Sequence, residues 1–219
     1  MKLNSFGTAV FSGFLALTAL STAAQAGPTY TFNTSEGVQP SNAGLITITQ
    51  NDANSVIVSV DLASGYGFLN TGGPHTPFAF QLSGSGTLSI SFTSPLNGSY
   101  ADGTFSLNTA GGSNTPFGAF NVAIDSSAGN GSGKAFYNDL VFTLTRTGGL
   151  STDDFVKNAS GAYFSADLTD GKNTGAQAWK GRTTTDVPPP NNPVPEPLTL
   201  ALFGAGLAGL AATRRRHKA

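Results

Sequence analysis

Histidine is the side chain most often used as a general base, and outside the basic C-terminal end this chain offers one candidate, His75. A serine hydrolase needs that base beside an activated serine, usually in a Gly-x-Ser-x-Gly turn, which the sequence lacks. His75 lies in GGPHTPF, and the pattern returns as GGSNTPF with Asn114 in its place. The glycines and prolines predict two equivalent hairpin corners, each needing a polar turn residue. A duplicated ligand loop is the alternative.

Metal binding would need a ligand cluster, and the sequence contains none of familiar spacing. The chain has no cysteine, so zinc would lack its usual sulfur and nitrogen ligands. Two loops are rich in oxygen, DLTDGKN with Asp167 and Asp170, and DSSAGNGSG with Asp125. Neither has the EF-hand spacing, so ordinary Asx turns are favoured over calcium sites. We therefore predict no metal and no cofactor, while two carboxylates of a glycosidase remain a weaker enzymatic alternative.

Aromatic side chains are the remaining group of interest, because a flat ring can stack on the face of a sugar. The candidates are Trp179, Tyr66, Tyr100, Tyr137 and Tyr163. Trp179 is the possible ligand residue, although the simpler interpretation is that it packs over an edge of the fold. A carbohydrate-binding module for exopolysaccharide therefore stays open as an alternative function.

The elements that would position these residues are predicted to be β-strands. In SVIVSVDLA, Val56, Val58 and Val60 share one face, and TLSISFT shows the same period of two. Roughly nine such runs, separated by turn residues, predict an all-β domain, an antiparallel β-sandwich of jelly-roll type. Most of the 16 phenylalanines fall in this part of the chain, enough for a dry core. One exception is STDDFVKNASG, where Ser151 and the aspartates after it predict a short helix.

Residues 1–26 have the layout of a secretory signal peptide. They combine a charged start, an apolar stretch and a small-residue pattern at Ala24 and Ala26. Cleavage by signal peptidase is expected before Gly27, after transport by the general secretion machinery. The exported domain is then predicted over residues 27–181.

The other end of the chain has the composition of a linker and a membrane segment. Residues 182–194 are rich in proline, which favours an extended polyproline II spacer. Residues 198–213 form an apolar run, which as a single transmembrane helix would be about 24 Å long, somewhat short of a hydrocarbon core of about 30 Å. A basic tail would help it to span and would stay in the cytoplasm. Its charged residues are Arg214, Arg215, Arg216 and Lys218.

This end of the chain resembles the PEP-CTERM sorting domain of exported bacterial proteins. The resemblance rests on VPEP, the apolar run and the basic end in that order, and makes residues 195–219 the sorting signal. It implies a Gram-negative host, temporary residence in the inner membrane, and exosortase as the processing partner. Recognition is implied at or near the sorting motif Pro195, Glu196 and Pro197.

Charge is distributed unevenly along the chain. Of 11 basic and 12 acidic residues, the domain and linker keep six basic against eleven acidic ones. This balance argues against nucleic acid as a partner, because phosphates require a basic face. We therefore predict a non-enzymatic structural protein of the cell surface or the extracellular matrix, associated with biofilm exopolysaccharide. It would be anchored in the inner membrane before exosortase processes it and be released to the surface or the medium afterwards.

Overall fold

The computed structural model describes residues 29–32, 35–37 and 43–185. Within these ranges the chain forms strands and three short 3-10 turns, Leu96–Gly98, Ser132–Lys134 and Thr152–Asp154, and no α-helix. The strands are β1 (Thr29–Phe32), β2 (Ser35–Gly37), β3 (Gly44–Asp52), β4 (Ser55–Leu62), β5 (Gly67–Phe68), β6 (Phe78–Phe80), β7 (Leu88–Ser94), β8 (Ser99–Tyr100), β9 (Gly103–Asn108), β10 (Gly112–Ser113), β11 (Ala119–Phe120), β12 (Val122–Ser126), β13 (Leu140–Arg146), β14 (Phe164–Thr169), β15 (Thr174–Trp179) and β16 (Thr183–Thr185).

All pairings between these strands are antiparallel. A six-stranded sheet has the order β16-β1-β3-β4-β13-β7. An eight-stranded sheet has the order β2-β15-β14-β6-β12-β9-β8, with β5 also paired to β14. The short strands β10 and β11 form a separate hairpin. The predicted all-β class with antiparallel sheets is therefore confirmed.

The hairpin of β3 and β4 shows how the alternating sequence produces a half-buried strand. Val56, Val58 and Val60 have no exposed surface, because residues two apart on a strand point to the same face. At the turn before β4, the Asp52 carboxylate accepts a hydrogen bond from the backbone N–H of Asn54 at 2.8 Å. This Asx-type contact closes the turn and sets the register of the valines toward the core.

The two sheets contribute side chains to one hydrophobic core, built largely from phenylalanine. Phe142 of the six-stranded sheet has its ring centroid 6.3 Å from Phe78 and 6.2 Å from Phe80, both on β6 of the other sheet. Phe92 of β7 lies 6.4 Å from Phe105 of β9 in the same way. These separations lie in the favourable range for aromatic pairs. The rings hold the two sheets against each other.

Strand β14 departs from the half-exposed pattern that its sequence predicts. Ser165, Asp167 and Thr169 alternate with apolar residues, yet every residue of β14 is buried. The loop before β6 covers this polar face through Thr71, and the segment that carries β10 covers it through Asn114. The face is dry because other parts of the chain, distant in sequence, fold over it.

The short helix predicted in STDDFVKNASG is a single 3-10 turn. It begins as expected, because Ser151 and Asp154 form a capping box in which the Asp154 carboxylate accepts from the Ser151 N–H at 2.8 Å. It ends after one turn, because Phe155 is extended, fully buried and paired in a β-bridge with Leu82. Burial of the phenylalanine in the core thus overrides the helical start signal.

The residues that the structure describes include no helix with enough length and apolar character to cross a membrane. The predicted membrane helix at residues 198–213 and the predicted signal peptide at residues 1–26 both lie outside the described ranges.

Candidate functional site

The residues predicted to direct sorting lie outside the part of the chain that the structure describes. They comprise the signal cleavage residues, the PEP motif and the basic tail. These are Ala24, Ala26, Gly27, Pro195, Glu196, Pro197, Arg214, Arg215, Arg216 and Lys218.

Trp179 lies at the end of β15 with no exposed surface. Its indole Nε1–H donates a hydrogen bond to the backbone carbonyl of Gly44 at 3.0 Å, so the ring joins the two sheets and its one polar group is satisfied. A fully buried ring offers no face to a sugar. The structure therefore places Trp179 in the hydrophobic core.

The four candidate tyrosines of the domain differ in exposure. Tyr66, Tyr100 and Tyr163 are partly buried and pack against the core, and the Tyr100 hydroxyl pairs with the hydroxyl of Ser126. Tyr137 is 49% exposed, and it is the only aromatic among the exposed large apolar side chains of the described residues. Tyr137 is therefore the most exposed of the aromatic candidates.

Tyr137 lies in an open groove of about 480 Å³ between the end of β7 and the segment that leads into β13. Ser94 and Pro95 line one side, and Asn138 and Asp139 line the other. The Ser94 hydroxyl donates to the backbone carbonyl of Asp139 at 2.7 Å, which ties the two sides together. The groove thus combines two aromatic residues, of which only Tyr137 is exposed, with residues that carry hydroxyl, amide and carboxylate groups. Sequence reasoning singled out Tyr137 but missed its polar neighbours, because they come from segments far apart in the chain.

His75 and Asn114 are not equivalent, although their sequence contexts are alike. Asn114 is completely buried; its Oδ1 accepts from the Thr76 N–H at 2.9 Å and its Nδ2 donates to the Ser165 hydroxyl at 2.9 Å. His75 is partly exposed, but its Nδ1 is buried without a hydrogen-bond partner. The prediction of two equivalent corners is wrong, because the second loop packs against the first and its asparagine holds them together.

Asp167 is the most deeply buried acid of this region. Its Oδ2 accepts hydrogen bonds from the backbone N–H and the hydroxyl of Thr71, both at 2.7 Å, whereas its Oδ1 has no hydrogen-bond partner in the part of the chain that the structure describes. Burial raises the pKa of Asp167, although the Thr71 hydrogen bonds and the charge of His75 act in the opposite direction. Among the described residues, no hydrogen bond joins a serine side chain to His75.

The oxygen-rich loop at Asp170 contains local hydrogen bonds of the predicted kind. The Asp170 carboxylate accepts from the backbone N–H of Asn173 at 2.7 Å and from its side-chain amide at 3.0 Å. These bonds lower the pKa of Asp170 to about 2. Asp125 differs, because its carboxylate accepts from the amide of Asn108 on the neighbouring strand β9 at 2.7 Å, which is a cross-strand contact and not a local turn. In the described ranges, no three acidic or histidine side chains lie together as a metal site would require.

Comparison with known proteins concerns the end of the chain alone. Residues 193–216 match the family model described as the PEP-CTERM protein-sorting motif. The chain carries a PEP-CTERM sorting motif. The resemblance drawn from VPEP, the apolar run and the basic tail is thereby confirmed, and it supports an exported protein with exosortase as its processing partner. No curated protein and no solved structure matches the chain.

Proposed function

We propose that this protein is a structural component of the cell surface or extracellular matrix, sorted and processed by an exosortase. The observation that carries the proposal is the PEP-CTERM match at residues 193–216. Pro195 and Pro197 restrict the backbone to extended conformations, which suit the binding cleft of a protease. Glu196 between them offers a carboxylate for a charge-assisted contact with a basic group of the enzyme.

The domain supports a structural role rather than a catalytic one. We interpret its two antiparallel sheets with their shared aromatic core as a β-sandwich of jelly-roll type. Asp167 and Asn114 are both fully buried, and their hydrogen bonds to Thr71 and Thr76 hold loops against the sheet. A stable β-domain without disulfides, held off the membrane by a proline-rich linker, suits display outside the cell. Association with biofilm exopolysaccharide is part of this proposal.

Before processing, the precursor resides in the inner membrane through residues 198–213, with Arg214, Arg215 and Arg216 on the cytoplasmic side. Signal peptidase removes residues 1–26, and exosortase then acts near residues 195–197. The product appears at the cell surface or in the medium.

Replacement of Glu196 tests the sorting role directly. We expect Glu196→Ala to accumulate in the inner membrane with the C-terminal Ala219 still present, whereas the wild-type protein appears at the surface or in the medium in a shortened form. Cell fractionation and intact-mass measurement in the native host distinguish the two forms.

Asp186→Ala is the matched control, because it removes an acid from the same region of the chain but outside the PEP motif. It should be processed like the wild type. If wild type and Glu196→Ala both keep Ala219 and both stay in the membrane, the sorting proposal is wrong and the tail is a plain anchor.

A further inference from the structure

The groove beside Tyr137 holds its aromatic ring in a fixed place. A methyl group added at Gly67 of β5 would lie 2.9 Å from the Tyr137 Cδ1 and 3.0 Å from the backbone carbonyl of Phe136. The ring therefore packs on bare backbone that only glycine permits, while about half of the side chain stays exposed. A ring held in this way presents a pre-formed platform to solvent.

The polar groups around this platform are also accessible. Asn138 and Asp139 are both exposed, directly after Tyr137 in the chain. The hydrogen bond from the Ser94 hydroxyl to the Asp139 carbonyl fixes their backbone relative to the end of β7. An amide both donates and accepts hydrogen bonds and a carboxylate accepts them, which matches the hydroxyl groups of a sugar.

We propose that this groove binds a polysaccharide chain that carries no acidic groups. Tyr137 stacks on the face of one sugar ring, and Asn138 and Asp139 make hydrogen bonds to its hydroxyls. It rests on the proposed association with exopolysaccharide and assigns that association a site and a ligand class, but it does not depend on the sorting role.

Charge selects this class of ligand over the others. Among the described residues, no lysine or arginine lines the groove, whereas Asp139, an exposed acidic residue, does. A uronic acid, a phosphate or a nucleic acid would meet this carboxylate, and the acidic domain behind it, without a compensating cation. A lipid surface would need a larger apolar area, but the large apolar side chains exposed in the described ranges are only Ile57, Leu96 and Tyr137.

Co-sedimentation of the full chain, purified in detergent, with insoluble polysaccharides tests the proposal. The panel contains cellulose, a neutral β-1,3-glucan, mannan and partly deacetylated chitin, with calcium alginate as the polyuronate. We expect binding to at least one of the first four and none to alginate. Tyr137→Ala should weaken that binding at least ten-fold, whereas Tyr137→Phe, which keeps the ring, should bind within about two-fold of wild type.

Ile57→Ala is the matched control, because it removes an exposed apolar side chain from the outer face of β4 and should leave binding unchanged. Circular dichroism melting of each variant establishes that the domain is folded. Binding to none of the neutral or amino polysaccharides, binding to alginate alone, or equal binding by Tyr137→Ala and wild type would overturn the proposal. Each result is independent of whether Glu196→Ala is processed.

Discussion

Asp167 is a buried acid whose carboxylate is only partly satisfied by hydrogen bonds. Thr71 donates twice to Oδ2, while Oδ1 has no partner. Burial raises the pKa of Asp167 above its ordinary value of 3.8, so the folded protein binds this proton more tightly than the unfolded chain. The contribution of Asp167 to the free energy of unfolding therefore falls as the pH rises from 3.8 through the pKa of the folded state.

Asp167→Asn should raise the melting temperature at neutral pH. Asparagine keeps one oxygen for Thr71 and removes the buried charge, whose relief we put at about 1 kcal/mol, or about 2–4 °C for a chain of this size. At pH 3, where Asp167 is protonated in both states, the difference from wild type should vanish. Thermal unfolding followed by circular dichroism at pH 3, 5 and 7 measures it. A lower melting temperature of the variant at pH 7 would show that the ionised carboxylate is stabilising.

Asp170→Asn provides the comparison of opposite sign. Hydrogen bonds from Asn173 lower the pKa of Asp170 to about 2. Its stabilising contribution is therefore present above pH 3.8 and is lost as the pH falls from 3.8 to about 2. The variant should melt below wild type at pH 7, and the gap should close near pH 2. At pH 7, Asp167→Asn should thus raise the melting temperature relative to wild type, and Asp170→Asn should lower it.

At the residue scale, sequence could propose the aromatic candidates but could not rank them by exposure. Trp179 is fully buried and Tyr137 is 49% exposed, although both stand near polar residues and turn signals in the sequence. Their difference depends on packing between segments, since Trp179 reaches Gly44 across the domain. Asn138 and Asp139 can be recognised as candidate ligand-binding residues only in the structure, where the pairing of β7 with β13 places Ser94 beside them.

Among the strands, β7 has features that favour pairing with a strand of another chain. Within the described ranges it is an edge of the six-stranded sheet and pairs with β13 alone. Its seven residues, LSISFTS, contain no charge and no proline. Edge strands of natural proteins usually carry lysine, proline or a bulge that blocks pairing with another chain. In the described part of the chain, only the register shift near Phe142 and the proline after Ser94 serve that purpose.

Ser91→Lys should therefore make the protein less prone to aggregate at high concentration. Ser91 is exposed on β7, so the lysine remains in water and the free energy of unfolding should change by no more than about 0.5 kcal/mol. Light scattering at increasing protein concentration measures the effect. Ser106→Lys adds the same charge at an exposed position of β9 in the other sheet. If both variants suppress aggregation equally, net charge rather than the β7 edge is responsible.

The strands themselves were largely predictable, because alternation forces apolar residues such as Val56 and Val58 onto one face. The burial of Ser165 and Asp167 was not, since it depends on the loop of Thr71 and the segment of Asn114, which arrive from elsewhere in the chain. Short strands such as β5, β8 and β10, of two residues each, were not predicted, for a related reason. A pattern of period two needs about four residues to be recognised, and such strands form where neighbours offer a partner.

At the scale of the whole molecule, the uneven distribution of charge distinguishes two parts of the chain that have different proposed roles. The described domain is acidic, while the basic residues concentrate at the end that matches the sorting motif. On the proposed function, the domain contacts the matrix and the tail contacts the inner membrane and exosortase. Each can then be altered without the other, and this independence allows the role of the basic end to be tested alone.

Deletion of residues 214–218 should impair membrane retention before processing. An apolar run of about 24 Å as a helix is somewhat short of the hydrocarbon core, so it depends on the arginines, which extend to the headgroups and stop transfer across the membrane. We expect the truncated precursor to appear in the soluble periplasmic fraction, whereas Glu196→Ala stays in the membrane uncleaved. In the full-length precursor, replacing Arg214, Arg215 and Arg216 by lysine keeps the positive charge and should preserve membrane retention. Equal membrane fractions for the deletion and the wild-type precursor would mean that the apolar run anchors the chain without the basic end.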